Sequence, residues 1–216
     1  MAPERLARLH PHLFHMAEAD TWQSIRTRGL LSTSAVLTRF NIVGADRSNI
    51  EDQHRPAKIR LEGIGEEPIV IRDQIPMPPK RLAEALGDET CSEAWYALIN
   101  AKVFFWADES RLHRLLNARQ YRHLEHDVLT VDTARLVARY GDAIWLCHMN
   151  SGNTFPFPTR RDKHIFKRIG DYPVNKSGNP VKPIVEVTVD NAVLDINEFV
   201  VNVRRMRGLD VLMTLL

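Results

Sequence analysis

Helical patterning dominates the early and middle parts of the chain, while short apolar, strand-like runs accumulate toward its end. Asp20 followed by Gln23 makes a capping-box-like start for a helix over Thr21–Arg28. Trp22 and Ile25 share one face of it, and Gly29 serves as its stop. A second short helix starts at Ser32 or Thr33 in LLSTSAVLTRF. The polar segment Asn41–Gly65, punctuated by Gly44, Pro56, Gly63 and Gly65, reads as a long loop. PIVIR (Pro68–Arg72) reads as a strand ended by Pro76, Pro78 and Pro79, and helices are expected over Lys80–Leu86 and Ser92–Asn100.

KVFFW (Lys102–Trp106) has the aromatic and β-branched content of a strand. A helix over Ser110–Gln120 places Leu112, Leu115 and Leu116 on one face. His126–Asp132 then reads as a strand, Thr133–Tyr140 as a helix and Ala143–Met149 as a strand. Asn150–Pro183 is long, polar and basic, with little periodicity beyond IFKRI. PIVEVTVD (Pro183–Asp190) is the clearest strand, and the tail AVLDINEFVVNVRRM adds one or two more. Helices and strands do not alternate strictly, which favours an α+β fold in a single domain, residues 1–216, over a doubly wound parallel sheet. With no GxGxxG or Walker-type loop, Rossmann and P-loop readings have no support.

Composition adds little to the fold and more to the setting. At 44% hydrophobic and 26% charged, the 216 residues match a globular chain rather than a disordered one. The apolar runs fall far short of the ~20 residues a membrane helix needs. The N-terminal segment lacks the apolar core of a signal peptide. Cys91 and Cys147 make no disulfide framework. The expectation is a cytoplasmic protein without membrane contact. The net charge of +2 hides an asymmetry: between Phe155 and Lys182 seven basic residues face only Asp162 and Asp171, so that segment is +5 and the remainder −3. A basic loop on an acidic body suits a phosphate-bearing partner, or is a solvated surface loop.

Four places carry candidate chemistry. His15 ends a short apolar strand just before a capped helix, placed to donate a hydrogen bond into a pocket or to be held by backbone. The pairs His10/His12 and His123/His126 lack partners at ligand spacing, so no metal site is expected. Arg72 ends a strand where it can fork onto a phosphate or carboxylate, or pair locally with Asp73. Asn150, Ser151 and Gly152 leave a strand in a polar turn able to bind an amide, hydroxyl or phosphate, or are an ordinary turn. Glu186 lies mid-strand, opposite the face of Val185, Val187 and Val189. It is solvated on an open sheet or lines a cleft, and the preceding basic loop favours the cleft.

These segments together resemble the DarT-like branch of the ADP-ribosyltransferase superfamily. LFHMAEADTWQSIRTRGLLST, from a strand ending in His15 to Thr33, is similar to the opening of those proteins. IVEVTV with Glu186 is similar to their late glutamate strand, although Val185 stands in place of an alanine. Arg72 of VIRDQ falls between the two, in the expected order. The segments IRDQ, VFFW and NSG also resemble an uncharacterised bacterial domain family.

The resemblance implies an ADP-ribosyltransferase-like split antiparallel sheet and an NAD-dependent glycosyltransferase with NAD as substrate. Glu186 is then catalytic, stabilising the oxocarbenium-like charge that builds on the ribose as nicotinamide leaves. His15, Ser32, Thr33, Arg72, Asn150 and Ser151 hold the dinucleotide. Arg160, Arg161 and Lys163 meet a macromolecular acceptor, nucleic acid being one, with Phe155, Phe157 and Tyr172 interleaved to stack on bases. A toxin role with an antitoxin partner comes with the family. The alternatives are an NAD-dependent RNA 2′-phosphotransferase, or a non-enzymatic nucleic-acid or partner-binding module on the same fold.

Overall fold

The computed structural model describes residues 1–63 and 68–216. In chain order the elements are α1 (Pro3–Leu9), β1 (His12–Glu18), α2 (Trp22–Arg28), β2 (Leu30–Leu31), α3 (Thr33–Arg39), α4 (Gly44–Glu51), β3 (Ile59–Leu61), β4 (Ile69–Ile71), α5 (Pro79–Leu86), α6 (Ser92–Asn100) and β5 (Lys102–Trp106). The second half contains α7 (Glu109–Leu116), β6 (Glu125–Asp132), α8 (Thr133–Tyr140), β7 (Ile144–Cys147), β8 (Phe166–Arg168), β9 (Glu186–Asp190), β10 (Ala192–Val193), β11 (Val200–Arg207) and β12 (Asp210–Thr214).

Eight strands form one sheet in the order β12-β11-β6-β1-β5-β9-β7-β8, antiparallel at every junction. This is the mixed architecture, helices around a large antiparallel sheet, that non-alternating elements imply. The junction between β1 and β5 differs from its neighbours. β1 pairs with β6 along its whole length, from His12↔Asp132 to Glu18↔His126, but meets β5 at Phe14↔Trp106 alone. The sheet therefore parts in the middle.

Both faces of the sheet are covered. Leu13, Val103, Phe105, Leu129, Val131, Val187 and Val189 form one core with Leu6 of α1 and Leu136 of α8. On the other face, Cys147 and Phe166 pack with Leu82 and Leu86 of α5 and Trp95, Tyr96 and Ile99 of α6. Met16, Val128 and Met206 pack there on Leu112 and Leu116 of α7. The open, solvated face considered for β9 is absent: Glu186 is 4% exposed and Thr188 fully buried.

Three local expectations need correction. Asp20 does not cap α2; it adopts a left-handed backbone (φ 66°) and turns its carboxylate to Arg205, 2.8 Å away. The first amides of that helix, on Thr21 and Trp22, donate instead to Asp127 of β6 at 3.1 Å each. A buried carboxylate at a helix N-terminus satisfies donors that nothing in the local sequence can. The segment Asn41–Gly65 is not one loop, since α4 and β3 lie within it, while Ile64 and Gly65 fall outside the described residues. Helix α4 buries no residue, so its sequence has no apolar stripe; an Arg47–Glu51 ion pair at 2.6 Å spans one turn of it. Finally, α1 and β12 are elements that the apolar pattern does not announce, β12 being exposed throughout.

Candidate active site

A cavity of about 360 Å³ opens where the sheet parts. Its wall includes β1, the β2–α3 junction, β4, β5, the turn after β7 and the first residue of β9. Seven residues expected from the sequence to hold or act on a dinucleotide line it together: His15, Ser32, Thr33, Arg72, Asn150, Ser151 and Glu186.

His15 lies on β1 beside its single pairing with β5, Phe14↔Trp106, and lines the cavity that opens there. Its Nδ1 donates to the Phe104 carbonyl of β5 at 2.8 Å. A carbonyl only accepts, so Nδ1 carries the ring proton and Nε2 is left with a lone pair. Burial, with the Arg72 charge nearby, pulls the imidazole down to about 4, so the ring is neutral at physiological pH. Of the two sequence readings of His15, a donor into the pocket or a ring held by backbone, the second is found. The ring offers an acceptor, suited to a hydroxyl or amide on a ligand.

Ser32 leaves the short β2–β10 ladder, its amide donating to the Asn191 carbonyl at 2.8 Å. Its Oγ accepts the Ala35 amide at 3.1 Å and caps α3. Arg72 does not pair with Asp73. Asp73 takes the Tyr121 hydroxyl at 2.9 Å and the Ile75 amide at 3.2 Å. The Arg72 guanidinium lies 4.8 Å from the Tyr121 ring centroid and reaches the Met16 carbonyl at 3.5 Å. Among the described residues no carboxylate neutralises it, so a cation faces the cavity without a fixed anion.

Glu186 opens β9, opposite Trp106 on one side and Cys147 on the other. The Ser151 amide lies 3.2 Å from each of its oxygens, and the Ser151 hydroxyl donates to Oε2 at 2.7 Å. Burial raises the carboxyl to about 7, a rise limited by the Ser151 hydrogen bonds and the charges of Arg161 and Arg111. Asn150 closes the turn by accepting the Gly152 amide on Oδ1 at 3.1 Å. The MNSG segment is thus the cradle of the carboxylate, a role its small polar residues only hint at.

The three residues expected to meet an acceptor do not act as a group, and none lines the cavity. Arg161 is 2% exposed, with its donors on the carbonyls of Thr159, Ser151 and Asn153, so it is not available to an acceptor. Arg160 is exposed, lies over Gly87 and faces Glu89 at 3.7 Å. Lys163 is exposed at the start of a 3-10 turn. Tyr172 is buried, its hydroxyl donating to the carbonyls of Lys182 and Pro183, and cannot stack on a base. Phe157 is 78% exposed, and Phe155 sits beneath the Arg81 guanidinium at 4.2 Å.

Residues that sequence reading missed include Tyr121, which supports Arg72 and Asp73, and Arg55, which lines the cavity. Arg55 is buried, donating to the carbonyls of Arg72 and Ile50 and to Asn100 Oδ1. No local motif marks either residue.

The site is therefore a buried carboxylate, a neutral imidazole and an uncompensated arginine around one cavity at a parting in an antiparallel sheet. The chain belongs to a family of unknown function (DUF7002), whose model matches residues 11–200 and so takes in every one of these side chains. A comparison with curated proteins finds no match. Among the described residues no helix is long and apolar enough to cross a membrane.

Proposed function

We propose that the chain is an NAD-consuming ADP-ribosyltransferase, its parted antiparallel sheet being the split sheet of that superfamily. The observation that carries this reading is that His15 and Glu186, from opposite ends of the sequence, line one cavity with Arg72 between them in chain order. In this reading Arg72 meets the pyrophosphate, for which a permanently charged fork is suited. His15 Nε2 accepts from a ribose hydroxyl, and Ser32 and Thr33 contribute hydroxyls to the same wall.

Glu186 acts on the ribose that carries nicotinamide. Cleavage of the bond between C1′ and the pyridinium nitrogen sends the electron pair to nicotinamide and leaves positive charge on the sugar. A carboxylate held by Ser151 and fixed before the reaction stabilises that charge without reorganising. The acceptor nucleophile then bonds to C1′. Its proton passes to Glu186, whose pKa of about 7 allows the group to be anionic during cleavage and to take a proton afterwards.

The acceptor is read as a macromolecule. Phe157 and Lys163 are exposed on the same loop, a ring and a cation suited to nucleic acid, while Arg160 of that loop faces Glu89. Transfer is favoured over 2′-phosphate removal from RNA. That reaction needs several cations gripping one phosphate, and of the cations lining the cavity beside Arg72 and Arg28, Arg55 is engaged by the Arg72 and Ile50 carbonyls and Asn100, and Lys102 by Asp190.

The test has two arms. Saturating NAD should raise the melting temperature, and free nicotinamide should accumulate on incubation with nucleic acid. An unchanged melting temperature with no nicotinamide released rejects the reading. Nucleic-acid binding should weaken steeply with salt; binding indifferent to salt moves the acceptor to another class.

A further inference from the structure

Arg161 is among the largest fully buried side chains, yet no carboxylate lies within ion-pair distance of it among the described residues. A buried guanidinium is tolerated only where its donors are satisfied. Here each of its three nitrogens donates to one short stretch of backbone. Nε donates to the Thr159 carbonyl at 3.1 Å, Nη1 to Ser151 at 2.9 Å and Nη2 to Asn153 at 2.8 Å. The Arg161 amide fastens the same stretch to α5 through the Ala85 carbonyl at 3.0 Å. Farther along, the Thr154 amide and hydroxyl both donate to the Pro76 carbonyl, at 3.0 and 3.1 Å.

The loop that leaves β7 is thus wrapped around a cation, and the first residue it clamps is the one that grips Glu186. The Ser151 carbonyl faces the guanidinium while the Ser151 amide and hydroxyl face the carboxylate. We propose that Arg161 is a positioning residue for Glu186, fixing the Ser151 turn so that two donors point at the carboxylate before any ligand arrives. A lysine carries the same charge but cannot hold three carbonyls in fixed directions. The inference rests on the assignment of Glu186 to the transfer reaction.

Glu186 has few other ionisable neighbours: the Arg161 charge itself, Arg111 of α7, and the Cys147 thiol of β7, which burial keeps protonated. Weaker donation by Ser151 destabilises the ionised form of Glu186 and raises its titration point.

The test follows the Glu186 side-chain carboxyl by carbon-13 NMR across pH in wild type, Arg161→Lys, Ser151→Ala and the double variant, all without NAD. Both single substitutions should raise the midpoint by about one unit, the scale of a lost hydrogen bond to a charged group. The double variant should match the larger single shift, because both act through one turn. An unmoved midpoint in Arg161→Lys, or additive shifts, overturns the proposal.

Wild type supplies a second reading should Arg161→Lys fail to fold. The Ser151 amide and the Arg161 Nε–H resonances should titrate with the Glu186 midpoint, and an Arg161 resonance blind to that titration overturns the proposal as well. Since no step needs NAD, a protein that ignores NAD but shows the shared midpoint keeps the positioning role and loses only the reaction assigned to Glu186.

Discussion

The Nδ1 atom of His15 donates to the Phe104 carbonyl across the parting of the sheet, bridging β1 and β5 where their ladder is otherwise reduced to Phe14↔Trp106. The bond fixes the tautomer and leaves Nε2 as the acceptor that faces the cavity. His15→Asn keeps a short amide able to donate to Phe104 but has no atom at the Nε2 position. This variant should fold and lose about tenfold in NAD affinity, roughly one hydrogen bond. Calorimetric titration checks it, and unchanged affinity removes His15 from the ligand.

Glu186→Gln should lower transfer at least about a hundredfold, the scale of losing a group matched to transition-state charge. Its effect on stability carries the opposite sign. The folded carboxyl titrates near 7, against an ordinary value of 4.5. The native state therefore holds a proton that the unfolded chain releases. The associated stability is fully present below pH 4.5 and is lost as pH rises through 7, a loss on the order of 3 kcal/mol. Glutamine does not titrate, so the variant should be more stable than wild type at pH 8, with the gap closing toward pH 4.5. Urea melts at the two pH values measure this, and a gap independent of pH contradicts the buried titration.

His126 is fully buried, its ring meeting Tyr121 edge-on at 6.2 Å, and neither ring nitrogen makes a hydrogen bond of good geometry among the described residues. Burial, helped by Arg72, lowers it to about 4 from 6.5. Here the unfolded chain takes the proton first, so the stability tied to the neutral ring is present above pH 6.5 and is lost as pH falls through 4. His126→Phe keeps the ring contact and removes both buried nitrogens. Its melting temperature should exceed that of wild type, by more at pH 5 than at pH 8. Equal increments at both pH values argue against the titration.

Gly29 has φ +86°, and a Cβ there would lie 2.5 Å from the Leu194 Cα and 2.8 Å from the carbonyls of Val193 and Leu194. Those residues border the β2–β10 ladder that positions Ser32. Gly29→Ala should destabilise by at least about 2 kcal/mol, combining left-handed strain with backbone overlap. Denaturant midpoints check it, and a loss below about half a kilocalorie contradicts the packing described.

Segments whose signal is local were legible in the sequence. KVFFW is a strand over the residues its β-branched and aromatic content marks, and Thr133–Tyr140 and Ser92–Asn100 are helices with the expected bounds. The short helix expected to start at Ser32 or Thr33 is α3, from Thr33, with Ser32 as its cap. Failures came where a distant group does the work of a local one. Asp127 caps α2 in place of Asp20, and α4 lies exposed without an apolar stripe.

The site divides along the same line. By itself the sequence determined which elements carry His15, Arg72 and Glu186, because strand and helix follow from the periodicity and backbone bonding of neighbouring residues. It also supplied the small polar turn after β7. Only the tertiary structure decided that the sheet parts beside β1, that His15 spends its proton on Phe104 and keeps only an acceptor for the cavity, and that Arg161 is buried against carbonyls instead of facing a partner. Those outcomes depend on contacts between residues far apart in the chain, and residue spacing along a sequence places no constraint on which distant carbonyl or carboxylate will meet a given side chain.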